Sequence, residues 1–561
     1  MRTKIFTLFV TLAASVGTIL SSNIEVDGIY YDLKRSTHEA TVTYKGSSYY
    51  TQEEDRYVDT VVIPEKIVYN DTTYDVTRIG FVAFGFCHDL KAVVIPNSII
   101  RIDDAFYECT SLESLNIPAS VQKIDALYGW FYGCTNLKSI NIDSNNNIYS
   151  SIDGVLFNKE KTELLAYPQG RSESYYIIPN GVIRIGGGAF YNCTSITSVT
   201  IPNSVTTIGG FSGCTGLISI EIPNSVTSIG ESAFESCISL TSAVIGEAVQ
   251  YVGEKAFKDC YSLSTISWNA KRCDDFLSKN YVQYQPFDST SVTSIYVGEA
   301  VEHLPANFGQ GLVNLTSIHW NAIQCDWQYD IYDFSPFYDN KQIISEFTIG
   351  ENVVTIPTSL MQGLNSLNRI SVDVNNKLYD SRNNRNAILE TASNTLIKGC
   401  VNTIISNGIN HIGEYAFKDC FGLTDITIPN SVTSIGQAAY FRCTTLKHVT
   451  LGTSVKILEE SAFYGCSSIE TITCHSQRPP TVGQYALEGI DYSTIVYVHE
   501  DYLNTYIMHD TWGLYDVHPI VSPEGIEDVE ADLPVQKILR DGTIYILCGD
   551  KVYTLQGQLI K

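Results

Sequence analysis

The fold is decided by a short stretch of chain, residues 220–237, which reads Ile-Glu-Ile-Pro-Asn-Ser-Val-Thr-Ser-Ile-Gly-Glu-Ser-Ala-Phe-Glu-Ser-Cys. Ile220 and Ile222 alternate with Glu221, and this alternation predicts a short strand that is buried on one side only. Pro223 lacks a backbone N–H, so the strand is expected to end there, and the following Asn-Ser pair turns the chain.

The second half of the stretch completes one coil of chain. Val226 and Ile229 predict a second short extended segment, and Gly230 permits a sharp corner after it. The residues from Ala233 to Cys237 then predict a single helical turn. One coil is therefore expected to hold two short strands and one turn of helix.

The Ala-Phe-x-x-Cys part of this stretch recurs along the chain, and the cysteines at 214, 237 and 260 are spaced 23 and 23 residues apart. A fixed period of this length predicts a solenoid, in which each coil buries its apolar side against its neighbours. Both ends of such a stack are expected to carry caps. The recurrences are Ala105/Phe106/Cys109, Ala189/Phe190/Cys193, Ala233/Phe234/Cys237, Ala256/Phe257/Cys260, Ala416/Phe417/Cys420 and Ala462/Phe463/Cys466.

The remaining sequence divides around this array. The segment before it is rich in alternating Tyr and Val, three longer units interrupt it, and the repeat pattern changes after Cys474. Two of the longer units are expected to be hairpin insertions, and the third holds two Trp-Asn-Ala motifs at 268 and 320. We predict a signal peptide at 1–22, an N-terminal β-rich cap at 23–75, a solenoid at 76–474 with irregular units at 145–179, 268–345 and 375–405, a C-terminal cap at 475–521, a linker at 522–534 and a small β tail at 535–561.

The repeat resembles the BspA-like leucine-rich repeat family of bacterial surface proteins. The resemblance rests on Ile-Pro-Asn-Ser-Val-Thr-Ser-Ile-Gly, found at 222–230 and at 428–436 with Ala and Cys following, and it extends from about Val76 to Ile520. It implies a curved, parallel-strand leucine-rich repeat solenoid that is exported, with members that act in adhesion to host matrix proteins or in surface contacts. The tail at 535–561 looks like the C-terminal segment of exported Bacteroidetes proteins, which makes it a possible sorting segment.

The N-terminus has the layout of a secretory signal peptide. Arg2 and Lys4 precede an apolar run from Ile5 to Leu20, and small polar residues follow it. No cysteine lies close behind the run, since the first is Cys87, so lipoprotein attachment is not expected. No later segment reaches the roughly 20 apolar residues of a membrane-spanning helix. We expect a mature protein that begins near Asn23 and is secreted or held at the outer cell surface.

The charge of the chain argues against some partners. The formal net charge is -25, and loss of Arg2 and Lys4 with the signal peptide makes it -27. Nucleic acid and anionic lipid are therefore not expected to bind through bulk electrostatics.

The chain contains 15 cysteines, and ten of them occupy one repeat position. Stacked coils would place these thiols in a row with parallel Cβ directions, whereas a disulfide requires Cβ atoms that face each other. Reduced thiols packed in the core are favoured, although disulfide bonds between some of them stay open. Because the total is odd, at least one thiol is unpaired in a monomer. The ten are Cys87, Cys109, Cys134, Cys193, Cys214, Cys237, Cys260, Cys420, Cys443 and Cys466.

A search for catalytic or metal-binding motifs gives no candidate, so we predict no catalytic, cofactor-binding or metal-binding residue and leave the ligand-binding residues unassigned. The sequence holds no His-Glu-x-x-His, Gly-x-Ser-x-Gly, Walker loop or Cys-x-x-Cys motif. Asp143, Asn145 and Asn147 have the opening spacing of a calcium loop, but later positions of that motif do not match, and solvated turn residues are the better interpretation. Cys474 and His475 are adjacent on a predicted strand, which would place them on opposite faces.

Two features favour a contact surface. The first strand of each coil exposes one residue, and this outer row is small and polar. The chain also has 36 tyrosines, many in the irregular units, which either form a contact surface or pack their own loops. The outer row comprises Val94, Asn116, Asn141, Thr200, Glu221, Val244, Ser267, Thr427, Thr450 and Thr473, and the tyrosines in question include Tyr281, Tyr284, Tyr329, Tyr332 and Tyr338.

Three functions are compatible with these features. The first is an exported, non-enzymatic binding protein that adheres to a host extracellular protein or glycan through an extended solenoid face, acting as a monomer. The second is a polysaccharide-active enzyme on a parallel solenoid, which would need clustered carboxylates in one groove. The third is a structural surface protein that self-associates, against which the caps at both ends argue.

Overall fold

The structure is a computed structural model. It describes residues 23–45, 56–125, 131–274, 276, 285–305, 308–325, 336–357, 360–361, 363–382 and 385–520, and three strands within 535–554. The predicted signal peptide at 1–22 and linker at 522–534 lie outside the described residues.

The chain winds into a leucine-rich repeat solenoid of parallel strands, as the repeat predicts. The first strand of each coil, here called a front strand, pairs in parallel with the front strand of neighbouring coils, and in the central group seven such strands pair consecutively. The front strands are Asp59–Val62, Leu90–Val94, Ser114–Ile117, Ser139–Ile142, Tyr175–Ile177, Ser198–Thr200, Ser219–Glu221, Ser242–Ile245, Thr265–Trp268, Ser294–Val297, Ser317–Trp320, Glu346–Ile349, Arg369–Val372, Asp425–Ile428, His448–Leu451, Thr471–Cys474, Ile495–Val498 and Asp516–Pro519.

A second, shorter strand follows in many coils, as the apolar pair Val226 and Ile229 predicts. These back strands also pair in parallel, with Ile208, Ile229 and Val252 in register. They are Thr72–Ile79, Arg101–Asp103, Lys123–Asp125, Glu163–Ala166, Arg184–Ile185, Thr207–Ile208, Ser228–Ile229, Tyr251–Val252, Thr395–Gly399, His411–Ile412, Ser434–Ile435, Ile457–Leu458 and Thr481–Val482.

The core between front and back strands is a stack of identical side chains. Phe190, Phe211, Phe234 and Phe257 lie face to face, with centroid distances of 4.6, 5.2 and 5.0 Å along the series. Aromatic rings bury a large apolar area each, and the repeated Phe places one ring on the next. The Phe that recurs in the sequence therefore indicates a continuous aromatic core.

The predicted helical turn from Ala233 to Cys237 is wrong, because this segment forms a series of hydrogen-bonded turns. The N–H of Phe234 donates to the carbonyl of Ala256 at 2.7 Å, and the N–H of Ser236 donates to Lys258 at 2.8 Å. Because these N–H groups donate to the next coil, they are not available for the i→i−4 hydrogen bonds of a helix. The described helices are short and lie elsewhere: Tyr338–Asn340, Glu500–Tyr502 and Trp512–Leu514 are 3₁₀ helices, and Leu503–Ile507 is an α-helix.

The repeat cysteines form a buried row of free thiols. All 14 cysteines whose side chains are described are free and buried. The Cys237 thiol donates to the carbonyl of Phe211 in the preceding coil, with Sγ and O 3.2 Å apart, and Cys260 does the same to Phe234 at 3.1 Å. Burial raises the pKa of the Cys87 thiol to about 11. The geometry agrees with reduced core thiols and not with the bridged alternative.

The N-terminal segment is an antiparallel sheet that joins the array. Ile24–Val26, Ile29–Lys34 and Glu39–Thr43 pair antiparallel in sequence order. Glu39–Thr43 then pairs in parallel with Thr72–Ile79, against which Lys66–Tyr69 lies antiparallel. Parallel pairing therefore begins before Val76, inside the segment that the sequence analysis assigns to the cap.

Two of the irregular units contain antiparallel hairpins. In the first, Tyr149–Ile152 pairs with Val155–Asn158, which pairs with the back strand Glu163–Ala166. In the second, Tyr379–Asp380 pairs with Ala387–Glu390, which pairs with Thr395–Gly399. Each hairpin thus continues the row of back strands. In the unit at 268–345 a single bridge between Arg272 and His303 takes the place of back strands among the described residues.

At the C-terminal end the array continues past Cys474, where the sequence analysis places its last coil. Thr471–Cys474 pairs in register with Ile495–Val498, which pairs with Asp516–Pro519. The repeat pattern is hidden because Ala-Leu and Ile490 replace Ala-Phe and Cys. Trp512 packs beneath the last coils, and its indole N–H donates to Pro480 at 2.9 Å. A separate antiparallel sheet consists of Val535–Arg540, Thr543–Cys548 and Lys551–Thr554.

Candidate functional site

The outward side of the front strands, here called the front face, carries the predicted outer row. In-register pairing aligns Asn116 with Asn141, and it aligns Thr427 with Thr450 and Thr473. All ten predicted residues are exposed or half-buried, as the alternation requires. The longest unbroken part of the row runs across the central group of strands: Glu221, Val244, Ser267, Tyr296, His319, Thr348 and Ser371.

Tyr296 and His319 form an aromatic pair within this row. Parallel in-register strands lie about 4.8 Å apart, so two rings at the same row position can stack. The ring centroids are 4.2 Å apart and the ring planes differ by 3°. Tyr296 keeps 41% of its surface exposed, and His319 is half-buried. Stacking covers one face of each ring, so the pair exposes ring edges and the two outer faces, which lie toward Ser267 and Thr348 along the row.

The environment of His319 favours its neutral form. Burial lowers the pKa of His319, and the carboxylate of Glu346 opposes that shift. The hydroxyl of Ser317 lies 3.3 Å from Nε2 of His319, within hydrogen-bond distance. The imidazole is therefore held as a neutral group that can both donate and accept a hydrogen bond.

A similar pairing recurs in the last coils. Tyr497 aligns with His518 on the front face, with centroids 6.4 Å apart and planes inclined by 48°. Asp516 lies beside His518, with Oδ1 and Nε2 2.9 Å apart. Front strands with Tyr followed by His in the next coil therefore occur twice, once in the centre of the array and once near its end.

Small polar residues around the central pair are bonded to each other across coils. The hydroxyls of Thr348 and Ser371 lie 3.0 Å apart, next to His319 in the row. Elsewhere on the same face, Nδ2 of Asn141 donates to Oδ1 of Asn116 at 3.0 Å. Cross-strand pairs of this kind fix side-chain positions on a sheet. The front face is consequently a preordered polar surface with an aromatic centre.

The residues with weak chemical motifs are not assembled into a reactive site. Asp143, Asn145 and Asn147 are exposed, as expected for turn residues. Cys474 is buried and His475 is exposed, so they lie on opposite faces. Over the described part of the chain, no group of three His, Cys, Asp or Glu side chains is placed to hold a metal ion.

The tyrosines of the irregular units give no further information. Tyr281, Tyr284, Tyr329 and Tyr332 lie outside the described residues, and Tyr338 begins the 3₁₀ helix Tyr338–Asn340. Sequence reasoning missed Tyr296 and His319, although the Trp-Asn-Ala motif at 320 marks the end of a front strand and places His319 on its outer side.

These features define an array of leucine-rich repeats, and comparison with protein families agrees. A family model described as "BspA type Leucine rich repeat region (6 copies)" matches residues 65–170, 169–274 and 393–511, which is more than half of the chain. The chain belongs to this family. The expected resemblance is confirmed.

Comparison with solved structures returns other leucine-rich repeat proteins. A leucine-rich repeat protein from Bacteroides ovatus ATCC 8483 is 22% identical, with 89% of this chain and 100% of that chain covered and a TM-score of 0.33. The pneumococcal vaccine antigen PcpA is 16% identical, with 64% and 100% covered and a TM-score of 0.36. A leucine rich cell surface protein from Faecalibacterium prausnitzii A2-165 is 19% identical, with 91% and 97% covered and a TM-score of 0.23.

No curated protein matches this sequence. Among the residues that the structure describes, there is no helix with the length and hydropathy to cross a bilayer.

Proposed function

We propose that this chain is an exported, non-enzymatic binding protein that adheres to a host extracellular protein or glycan through its front face. The observation that carries the proposal is the unbroken row from Glu221 to Ser371, which has the stacked pair Tyr296 and His319 among small polar side chains. It acts at the cell surface or after secretion, and the charged-then-apolar sequence of residues 1–22 supports export.

The composition of the row suits recognition. Tyrosine is enriched at the energetic centres of protein interfaces, because it supplies contact area and a hydrogen-bonding hydroxyl at low entropic cost. Ser267 and Thr348 flank the pair in the row, and their short side chains leave the outer faces of the two stacked rings open to a partner. A partner that covers Tyr296 would therefore desolvate an aromatic ring and meet hydrogen-bonding groups around it.

The direct test is binding of the mature chain, residues 23–561, to immobilised host matrix proteins, mucins and glycans. The double variant Tyr296→Ala, His319→Ala removes the aromatic pair. A matched control is Tyr251→Ala, since Tyr251 has 51% of its surface exposed but lies on a back strand. Saturable binding that the double variant weakens and the control retains would support the proposal.

Two outcomes would favour a different function for this chain. Release of products from a panel of acidic and neutral polysaccharides would favour a polysaccharide-active enzyme. Concentration-dependent assembly in light scattering, with no partner added, would favour a self-associating surface protein. We expect a monodisperse monomer and no product release.

A further inference from the structure

A notch opens at the edge of the array where one coil lacks the Ala-Phe-x-x-Cys turn. The turns on either side of it end at Cys134 and Cys193, and between them the chain passes through Tyr167 and Pro168 instead. Tyr167 occupies the core position of the missing Phe: its ring stacks on Phe190 at 5.1 Å, and its N–H donates to Ala189 at 2.7 Å. The core is thus continuous here, whereas the outer part of the turn is missing.

The floor of the notch is held rigidly by residues 169–172. The N–H of Gly170 donates to Leu137 at 2.8 Å, and a Cβ atom at Gly170 would lie 2.2 Å from the backbone carbon of Asn136. Only glycine allows the chain to lie this close to the preceding coil. The notch therefore depends on a glycine that sets the depth of its floor.

Arg171 lines the notch, and groups of the chain itself pair with its terminal nitrogens, while its buried Nε has no hydrogen-bond partner. Its guanidinium donates to the carbonyl of Asp153 and to Oε1 of Glu173, the latter at 3.0 Å, and it lies over the ring of Tyr167 at 5.2 Å. Since Glu173 pairs with the arginine and Glu108 adds a further carboxylate to the lining, the notch has no surplus positive charge with which to select a phosphate, sulfate or carboxylate ligand.

Beside the carboxylate of Glu108, the walls carry many uncharged hydrogen-bonding groups. Thr110, Thr135 and Thr194 each follow the cysteine of their turn and lie along the notch, together with the amides of Gln169 and Asn192. Nε2 of Gln169 donates to Tyr191 at 2.8 Å, which fixes the orientation of that amide. Hydroxyls and amides present donors and acceptors together, as the hydroxyl groups of a sugar require.

We propose that this notch binds a neutral oligosaccharide. Its volume of about 490 Å³ lies within the roughly 300–1,000 Å³ of small-molecule sites. Tyr132 lies on one wall, where its ring packs between Tyr107 and Tyr191 at centroid distances of 4.9 and 5.3 Å and therefore offers its edge. The surrounding hydroxyls and amides match a ligand that is neutral and hydroxyl-rich. The notch lies at the turn edge and uses none of the front-face residues, so it is a second site, independent of the proposed partner surface.

The test uses the mature chain and neutral hexasaccharides of glucose, mannose, xylose and N-acetylglucosamine, with heparin oligosaccharides as anionic comparators, in titration calorimetry. Thr135→Trp fills the notch from an exposed position. Thr444→Trp is the matched control, because Thr444 is also exposed and also follows a turn cysteine, in a regular part of the array. Ser172→Trp, from the floor of the notch, is a second filling variant should Thr135→Trp not fold.

We expect at least one neutral hexasaccharide to bind, with affinity reduced about tenfold or more by Thr135→Trp or Ser172→Trp and unchanged by Thr444→Trp. The double variant Tyr296→Ala, His319→Ala should also leave this binding unchanged, which separates it from the front-face proposal. Absence of binding across the neutral panel, binding of heparin oligosaccharides alone, or binding that both filling variants retain would overturn the assignment.

Discussion

Asn146 and Asn376 occupy equivalent positions at the start of the two hairpin insertions and make the same four hydrogen bonds. The amide nitrogen of Asn376 donates to Gly350 and Val353 in the preceding coil, at 2.8 and 3.1 Å. Its amide oxygen accepts from the N–H groups of Leu378 and Tyr379, each at 2.9 Å. One buried amide therefore fastens each hairpin to the coil before it.

Replacing this amide should destabilise the protein. Asn376→Ala leaves four backbone groups without their partner, and each unpaired buried polar group costs about 1–3 kcal/mol. We expect the free energy of unfolding to fall by at least about 2 kcal/mol in urea denaturation. Asn375→Ala is the control, since Asn375 is exposed, and it should change stability by less than about 0.5 kcal/mol. Equal stabilities of the two variants would contradict this role.

The glycine under the notch provides a second test of packing. Gly170→Ala places a methyl group against the backbone of Asn136, and we expect a loss of about 1–3 kcal/mol in the free energy of unfolding. Gly187→Ala is the control, because a Cβ at Gly187 meets no heavy atom within 4 Å and its φ is not in the left-handed region. Thermal unfolding of both variants measures the difference. A Gly170→Ala protein as stable as Gly187→Ala would show that the floor is not tightly packed.

The free thiols can be counted directly. The structure predicts that at least 14 thiols react after denaturation without reducing agent, and that the native chain reacts slowly. The native thiols are protected because they are buried, and burial raises the pKa of Cys87 and of Cys420 to about 11, far from the thiolate form. A denatured count of 13 or fewer of the 15 cysteines would instead establish a disulfide.

The stability of the native state should depend on the protonation of His319. Because burial lowers its folded-state pKa, the unfolded chain binds this proton more readily, and stability is lost as pH falls below the unfolded pKa of about 6.5. His319→Gln should reduce that loss between about pH 6.5 and 5 in urea titrations at several pH values. His475→Gln, at an exposed position, is the control for the substitution itself. An identical profile for His319→Gln would contradict the burial of this imidazole.

The regular repeats made the solenoid predictable, because spacing and alternation specify which side chains are buried. The same reasoning placed Thr427, Thr450 and Thr473 on the outer row. It overlooked Tyr296 and His319, since the units that hold them differ in length and interrupt the 23-residue period. Longer loops between front strands shift the sequence spacing while the strands themselves stay in register.

The spacing of residues in the sequence was misleading where hydrogen bonds between coils determine the structure. The calcium-like spacing drew attention to Asp143 and Asn147, whereas the structural residue is Asn146 between them. Recurrence of Asp-x-Asn-Asn at 143 and again at 373 was the available signal. Similarly, the residues from Ala233 to Cys237 are compatible with a helical turn in isolation, but their N–H groups bond to the next coil, which no single repeat reveals.

The front face should bind a host partner around the stacked pair Tyr296 and His319. The most direct measurement compares the mature chain, the double variant Tyr296→Ala, His319→Ala and the control Tyr251→Ala on one array of host matrix proteins, mucins and glycans. We expect a saturable interaction of the mature chain that weakens at least about tenfold in the double variant and persists in the control. Neutral oligosaccharides whose binding Thr135→Trp weakens are assigned to the notch and set aside. Equal strength in all three proteins for every other interaction, or no other interaction with the array, would contradict it.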